Sequence, residues 1–286
     1  MSASAGCISC GSPRLQAQLS ILHCTDCGLR FAAQGDTLDY ARAYTEDAEV
    51  YPGHFRVLER MQTLRNLDRQ LLPFERIIRD EVRSRGDVRS FMDLGCGIGR
   101  FLRALRLSGL IAAGYELAAP VVERLRAHGL DVTCGSVEAF LGNARQADAI
   151  SLLEVVEHLP HPGPLIERLL QQKKPRLLFV VVPDSDTRRQ YDRNFAEHDQ
   201  PPNHLSWWTV PALHALLARP GYRVRVQAVP EKRRSLVGHF LRNPQRYSVS
   251  ALMLLVRGLV RPPAFWFLGV AERQDTAPDM GAGHAH

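Results

Sequence analysis

The most constraining stretch of the 286-residue chain is Phe91-Met92-Asp93-Leu94-Gly95-Cys96-Gly97-Ile98-Gly99-Arg100-Phe101-Leu102. It opens with a short apolar run, which predicts a buried strand. Three glycines at Gly-x-Gly-x-Gly follow, and residues 100–107 then carry apolar side chains at helical spacing. Strand, glycine turn and helix in that order form the first unit of a nucleotide-binding α/β sheet. Glycines allow a tight turn and let a ligand lie against the backbone, while the helix start points free N–H groups at it. Two common versions of this unit are excluded. A dinucleotide fingerprint needs Gly-x-Gly-x-x-Gly, and a triphosphate loop needs Gly-Lys-Ser/Thr. The acidic Asp93 suits a ligand with a cationic end better than one presenting a pyrophosphate.

This Asp-Leu-Gly-Cys-Gly-x-Gly string resembles motif I of the class I S-adenosylmethionine-dependent methyltransferases. The resemblance implies a Rossmann-like, seven-stranded α/β sheet. It puts the cofactor over Asp93, Gly95, Cys96, Gly97 and Gly99. Residues 110–116 read as a second buried strand ending in Glu116, and an acid about twenty positions past the glycines can accept hydrogen bonds from both ribose hydroxyls. Residues 120–129 predict a helix and 131–134 a third strand. Many family members then carry Gly-Asp near the adenine amino group. Here the segment is Gly135-Ser136-Val137-Glu138, so Ser136 and Val137 are the matching cofactor candidates.

Strand four, residues 147–153, runs into Glu154-Val155-Val156-Glu157-His158. Glu154, Glu157 and His158 come together if this turn is helical. They follow the carboxyl end of a central strand, where open α/β sheets bind ligands. The segment resembles that of the ubiquinone-pathway O-methyltransferases. That resemblance implies a magnesium ion at Glu154, Glu157 and His158; the competing expectation is a pocket floor with one of these residues as base, and Glu154 also bordering the cofactor. Residues 160–172 predict a helix and 177–182 strand five. Residues 185–206 read as a long polar loop resembling the Pro-Pro-x-His-Leu-Ser segment of small-molecule methyltransferases, with His198 and His204 expected to titrate near neutrality. The catalytic candidates are therefore His158, Glu157 and His204. Thr209 and Pro211 start a further helix, 222–229 alternates as strand six, and 265–272 should be an antiparallel last strand.

The amino terminus has a different character. Cys7-x-x-Cys10 and Cys24-x-x-Cys27 are separated by thirteen residues, and Gly11 and Gly28 follow the second cysteine of each pair. Four soft ligands in this arrangement predict a structural zinc ribbon, with strand-like residues 15–23 and 29–32. Four thiolates leave no open position, and His23 is not needed as a fifth ligand. The expected organisation is a ribbon at 1–34, a linker and two covering helices at 35–88, split near Pro73, and a methyltransferase domain at 89–274. A helical insertion occupies 231–262 and a disordered tail 275–286.

Charge bears on the partners. The net charge is +6, and three of the 36 basic residues are lysine, which leaves 33 arginines. They are scattered among acids and form no stripe with interleaved aromatics, which argues against nucleic acid as partner. No basic-then-apolar leader and no apolar run of about 18 residues is present, so a cytoplasmic protein without a transmembrane segment is expected, with a weak membrane-surface contact through the insertion as a further option. The expected activity is methyl transfer from S-adenosylmethionine to a small molecule, at oxygen or carbon, in biosynthetic or cell-envelope metabolism. The alternatives are a zinc-ribbon RNA methyltransferase, against which stands the lack of Asn/Asp-Pro-Pro-Tyr/Phe after strand four, and a non-catalytic cofactor-binding scaffold.

Overall fold

The structure is a computed structural model that describes residues 6–33, 53–191, 197–232 and 262–274, together with Val237, Gly238, Leu241, Met253 and Val256. The expectations for the 35–52 linker, for most of the 231–262 insertion and for the tail from residue 275 lie outside the described residues.

The ribbon contributes β1 (Leu15–Gln18), β2 (Ile21–Cys24) and β3 (Arg30–Ala32). Residues 15–23 are thus not one strand but a hairpin, because Leu19 takes a left-handed φ of 53° and reverses the chain. Helices α1 (His54–Thr63) and α2 (Pro73–Ser84) follow, and Pro73 opens the second, where its missing N–H costs no helical bond. The alternating part then runs β4 (Ser90–Leu94), α3 (Arg100–Leu107), β5 (Ile111–Glu116), α4 (Ala119–Ala127), β6 (Asp131–Cys134), α5 (Val137–Leu141) and β7 (Ala149–Leu153). After a 3₁₀ turn at Val156–His158 come α6 (Pro162–Arg168), a π turn at Leu169–Lys173 and β8 (Leu177–Pro183). The chain continues through α7 (Ser185–Tyr191), β9 (Ser206–Trp207), α8 (Val210–Leu217), β10 (Tyr222–Pro230) and β11 (Ala264–Arg273). The polar stretch after β8 is therefore not all loop, since α7 occupies its start.

Seven strands form one sheet in the order β10-β11-β8-β7-β4-β5-β6. The central pairs are parallel and β11 runs antiparallel to both its neighbours, as expected for the last strand. Strand alternation sorts the core into two layers. On β8, Leu177, Phe179 and Val181 face the layer built with α1 to α4, while Leu178, Val180 and Val182 face the layer shared with α6, α8 and the ribbon. Cys7, Cys24, Cys27, Leu29 and Phe31 belong to that second layer, so the ribbon is part of the domain's core. The strand order reverses between β4 and β7, and such a switch point opens a crevice at the carboxyl ends of the strands.

Candidate functional site

The glycine bend lies at that crevice. Gly95 and Cys96 both donate to the Tyr115 carbonyl, at 2.8 and 3.0 Å, which ties the bend to β5. Gly95 has φ +79°, and a Cβ there would meet Val155 Cγ2 at 2.6 Å. A Cβ at Gly97, by contrast, would meet nothing within 4 Å, so the open side of the bend lies over this residue. Glu116 ends β5 almost completely buried, with Oε2 accepting from Gly97 N at 2.9 Å and Oε1 from Ala118 N at 3.1 Å. Burial pushes its carboxyl up, while these backbone donors pull it down. Asp93 is buried on β4 and accepts from Ser151 Oγ at 2.6 Å; burial pushes it up to about 7. Cys96 is buried with its sulfur against Gly114, where a Cβ would come within 2.9 Å of it.

A cavity of about 570 Å³ opens from the bend, lined there by Asp93, Gly95, Cys96, Gly97, Ile98 and Arg100. Its other wall is His54 and Val57 of α1, with Leu72 before α2 and Phe74 and Glu75 within it. Gln62 of α1 donates to the Ile98 carbonyl at 2.8 Å, and Arg103 of α3 donates to the Met61 and Leu64 carbonyls at 2.8 and 2.9 Å. Arg100 meets the buried Glu75 through Nε and Nη2, and Glu75 Oε2 also accepts from Leu72 N at 2.6 Å. Sequence reading passed over Gln62, Glu75 and Arg100. Pro73 at the first position of α2 with Glu75 two residues on was the available signal for Glu75.

The far end of the cavity holds Leu153, Glu154, Glu157, His158, Arg188, His198 and His204. Glu154, Glu157 and His158 do not converge as a trio. Glu154 takes φ +53°, which turns its side chain toward α7 and β11; Oε1 accepts from Trp266 Nε1 at 3.1 Å and from Arg188 Nη1 at 3.3 Å. The group that does converge is Glu157, His158 and His204, with ligand atoms within 4.8 Å of one another. Two imidazoles and one carboxylate are a poor set for magnesium, which takes oxygen ligands. Glu157 is fully buried, has no hydrogen-bond partner for either oxygen among the described residues, and is pushed well above the usual carboxylate range by burial.

His158 Nδ1 lies 2.6 Å from the Asn203 carbonyl. A carbonyl only accepts, so Nδ1 carries the proton and Nε2 is the basic nitrogen. The His204 ring packs edge-on against it at 4.7 Å, with Asp199 Oδ1 3.4 Å from His204 Nδ1. Burial lowers His158, and it lowers His198 too. It pushes His204 down to about 2, with His158 and Arg188 adding to the effect. Against the expectation that His198 and His204 titrate near neutrality, desolvation shifts both below the ordinary histidine value. Glu116, Ser136 and Val137 lie outside the lining of the cavity, Glu116 being joined to it through its bond to Gly97 N. Ser136 Oγ caps α5 by accepting from Ala139 N at 3.3 Å, and Val137 is buried in the core.

In the ribbon, Cys7 Sγ and Cys27 Sγ are 3.6 Å apart, as are Cys10 Sγ and Cys24 Sγ, and all four sulfurs lie within 4.8 Å of one another. Sulfurs at about 2.3 Å from a tetrahedral zinc ion are about 3.8 Å apart, so the cluster fits that ion. Gly11 N and Gly28 N donate back to the Cys7 and Cys24 carbonyls, closing each knuckle.

Comparison with known proteins agrees with this geometry. Residues 60–227, more than half the chain, match the family described as Methyltransferase domain. The chain belongs to this family. Two curated relatives of this methyltransferase-family chain are named ubiquinone biosynthesis O-methyltransferase. The one from Coxiella burnetii is 26% identical over 99 residues, covering 32% of this chain and 42% of the relative. The one from Xylella fastidiosa is 30% identical over 91 residues, covering 29% of this chain and 37% of the relative. The match thus spans less than half the length of either relative. Among solved structures, the plantazolicin methyltransferase BamL, in complex with a triazolic desmethylPZN analog and SAH, superposes with a TM-score of 0.54 at 16% identity, over 82% of this chain and 94% of that one. The small RNA methyltransferase HEN1 gives a TM-score of 0.52 at 18% identity, over 71% of this chain and 25% of that one. These likenesses show the class I S-adenosylmethionine-dependent methyltransferase fold. Among the described residues no helix is long and apolar enough to cross a membrane.

Proposed function

We propose that this chain transfers the methyl group of S-adenosylmethionine to a small-molecule acceptor, at a hydroxyl or an acidic carbon. The observation that carries the reading is the pairing at the bend: open space over Gly97, with the buried Glu116 carboxylate hydrogen-bonded to its amide. That carboxylate suits ribose hydroxyls, and the buried Asp93 beside the bend suits the cationic end of the same ligand. The solved relative bound to SAH and the curated relatives acting in ubiquinone biosynthesis support a small acceptor.

The bound cofactor supplies an electrophilic methyl on a sulfonium. The chain's own residues do the rest. Helix α1, clasped to the bend and to α3 through Gln62 and Arg103, and α2, held by the Glu75–Arg100 pair, exclude water. The walls at Leu153 and Phe74 align the acceptor with the methyl. His158 takes the acceptor's proton on Nε2 as its oxygen or carbon attacks, while the Asn203 carbonyl holds Nδ1–H and stabilises the cation formed. Glu157 and His204 flank His158 and shape its surroundings. The zinc site is structural.

The test is incubation of the zinc-loaded chain with methyl-labelled S-adenosylmethionine and a fractionated cell extract. Label should pass to the small-molecule fraction. Label in RNA alone, or no transfer in any fraction despite cofactor binding, would refute the reading in favour of an RNA enzyme or a scaffold.

A further inference from the structure

The ribbon reaches the proton acceptor through its third strand. β3 pairs antiparallel with β9, Arg30 opposite Trp207 and Phe31 opposite Ser206. Ala32 N extends the ladder by donating to the Leu205 carbonyl at 2.9 Å. From its other edge the same segment grips the 3₁₀ turn, since Leu205 N donates to the Glu157 carbonyl at 2.8 Å. Two residues upstream, the Asn203 carbonyl accepts from His158 Nδ1 at 2.6 Å. Residues 203–207 are thus a bridge between the metal ribbon and the turn that carries His158.

We infer that the zinc ribbon is a positioning element for the base: by holding residues 203–207 it fixes the carbonyl that sets the His158 tautomer. This rests on the reading of His158 as proton acceptor. Three further seams weld the ribbon to the domain. Ser9 Oγ donates to the Ala212 carbonyl at 2.7 Å, and Thr209 Oγ1 donates to the Cys27 carbonyl at 2.6 Å. The third is at Gly163, where a Cβ would meet the Ile8 carbonyl oxygen at 2.8 Å, so only glycine allows this approach. Three strands of three or four residues cannot hold together alone, and the metal supplies their folding energy. Without it β9 loses its partner on one edge, and the Asn203 carbonyl is free to shift. The cofactor end has a different support. Gly95 and Gly97 are held by Tyr115 and Glu116 of β5, and no ribbon residue takes part in those bonds.

The proposal predicts a split between the two ends of the cavity. The full chain is compared zinc-loaded and after chelation, by three readouts. These are hydrogen exchange, affinity for S-adenosylhomocysteine, and nitrogen NMR of labelled histidine, with the His158 signals assigned from the His158→Gln difference. Zinc removal should speed exchange at the Leu205 amide by roughly tenfold or more and convert His158 from the Nδ1–H form to a tautomer mixture, while β4 amides keep their protection. Affinity for S-adenosylhomocysteine should change by less than about threefold. Gly163→Val, which pushes the ribbon away from α6 with the four cysteines intact, should give the same loss at Leu205 and His158 with zinc still bound. This variant decides the case if the stripped protein unfolds. Retention of the Nδ1–H form and of Leu205 protection in Gly163→Val displaced from the ribbon, or in folded zinc-free protein, would overturn the proposal. Failure of the zinc-loaded chain to bind S-adenosylhomocysteine would instead refute methyl transfer, and the tautomer readout would still decide the ribbon's role.

Discussion

Asp93 and Glu116 lie near the carboxyl ends of neighbouring strands, and the fold satisfies them differently. Glu116 accepts two backbone N–H bonds, whereas Asp93 has the single Ser151 hydroxyl. Its pKa is raised from 3.8 to about 7, so the neutral form is favoured in the folded protein below that pH and the carboxylate above it. The stability this gives is fully present below the unfolded value and is lost as pH rises through the folded one. Between about pH 4 and about pH 7 the loss is on the order of 4 kcal/mol. Denaturant unfolding across that window should show a steeper fall for the native chain than for Asp93→Asn. Parallel curves would place the pH dependence elsewhere. His158 makes the second prediction at this scale. Replacing it by alanine should lower turnover by roughly 10²–10⁴-fold with little change in cofactor affinity. Because burial lowers its pKa, turnover should rise with pH to a plateau, with a midpoint below 6.5. A midpoint above that value would point to another base.

The strand–bend–helix unit is where sequence and structure agree most closely, and the agreement has a steric basis. Gly95 must be glycine for two reasons, its left-handed backbone and the contact with Val155, whereas Gly109 has φ +87° and open space around it. Gly109→Ala should therefore cost about 1–2 kcal/mol, the left-handed penalty alone. Gly95→Ala should cost roughly 2–4 kcal/mol, because overpacking adds to it. Equal losses in chemical denaturation would contradict this account of the bend. Elements were legible where a regular pattern governed them, as in the alternation along β10 and the paired cysteine knuckles. They were not legible where one backbone angle decided the outcome. The left-handed Leu19 made a hairpin of an apparent strand, and the left-handed Glu154 removed one carboxylate from an apparent metal trio. His204 was picked out by the motif around it, but its pairing with His158 and Asp199 depends on a tertiary fold that spacing does not encode.

The described residues form a seven-stranded sheet with a core layer on each face and a second, four-stranded sheet of β1, β2, β3 and β9, so the segment that looked most separate in the sequence is built into one of those layers. Phe31 and Leu29 pack with the sheet core, and β9 joins ribbon to domain. Composition could mark the ribbon as metal-dependent but not show what it rests on, because β9 is only two residues long. We propose that a sulfonium nucleoside lies along the bend with its sugar on Glu116. The most direct test is a calorimetric titration of zinc-loaded protein with S-adenosylhomocysteine, repeated on Glu116→Gln. The expected result is saturable binding at one site, weakened roughly tenfold to a hundredfold in the variant as a charge-assisted hydrogen bond is lost. Absence of heat in the native protein, or equal affinity in both, would contradict it.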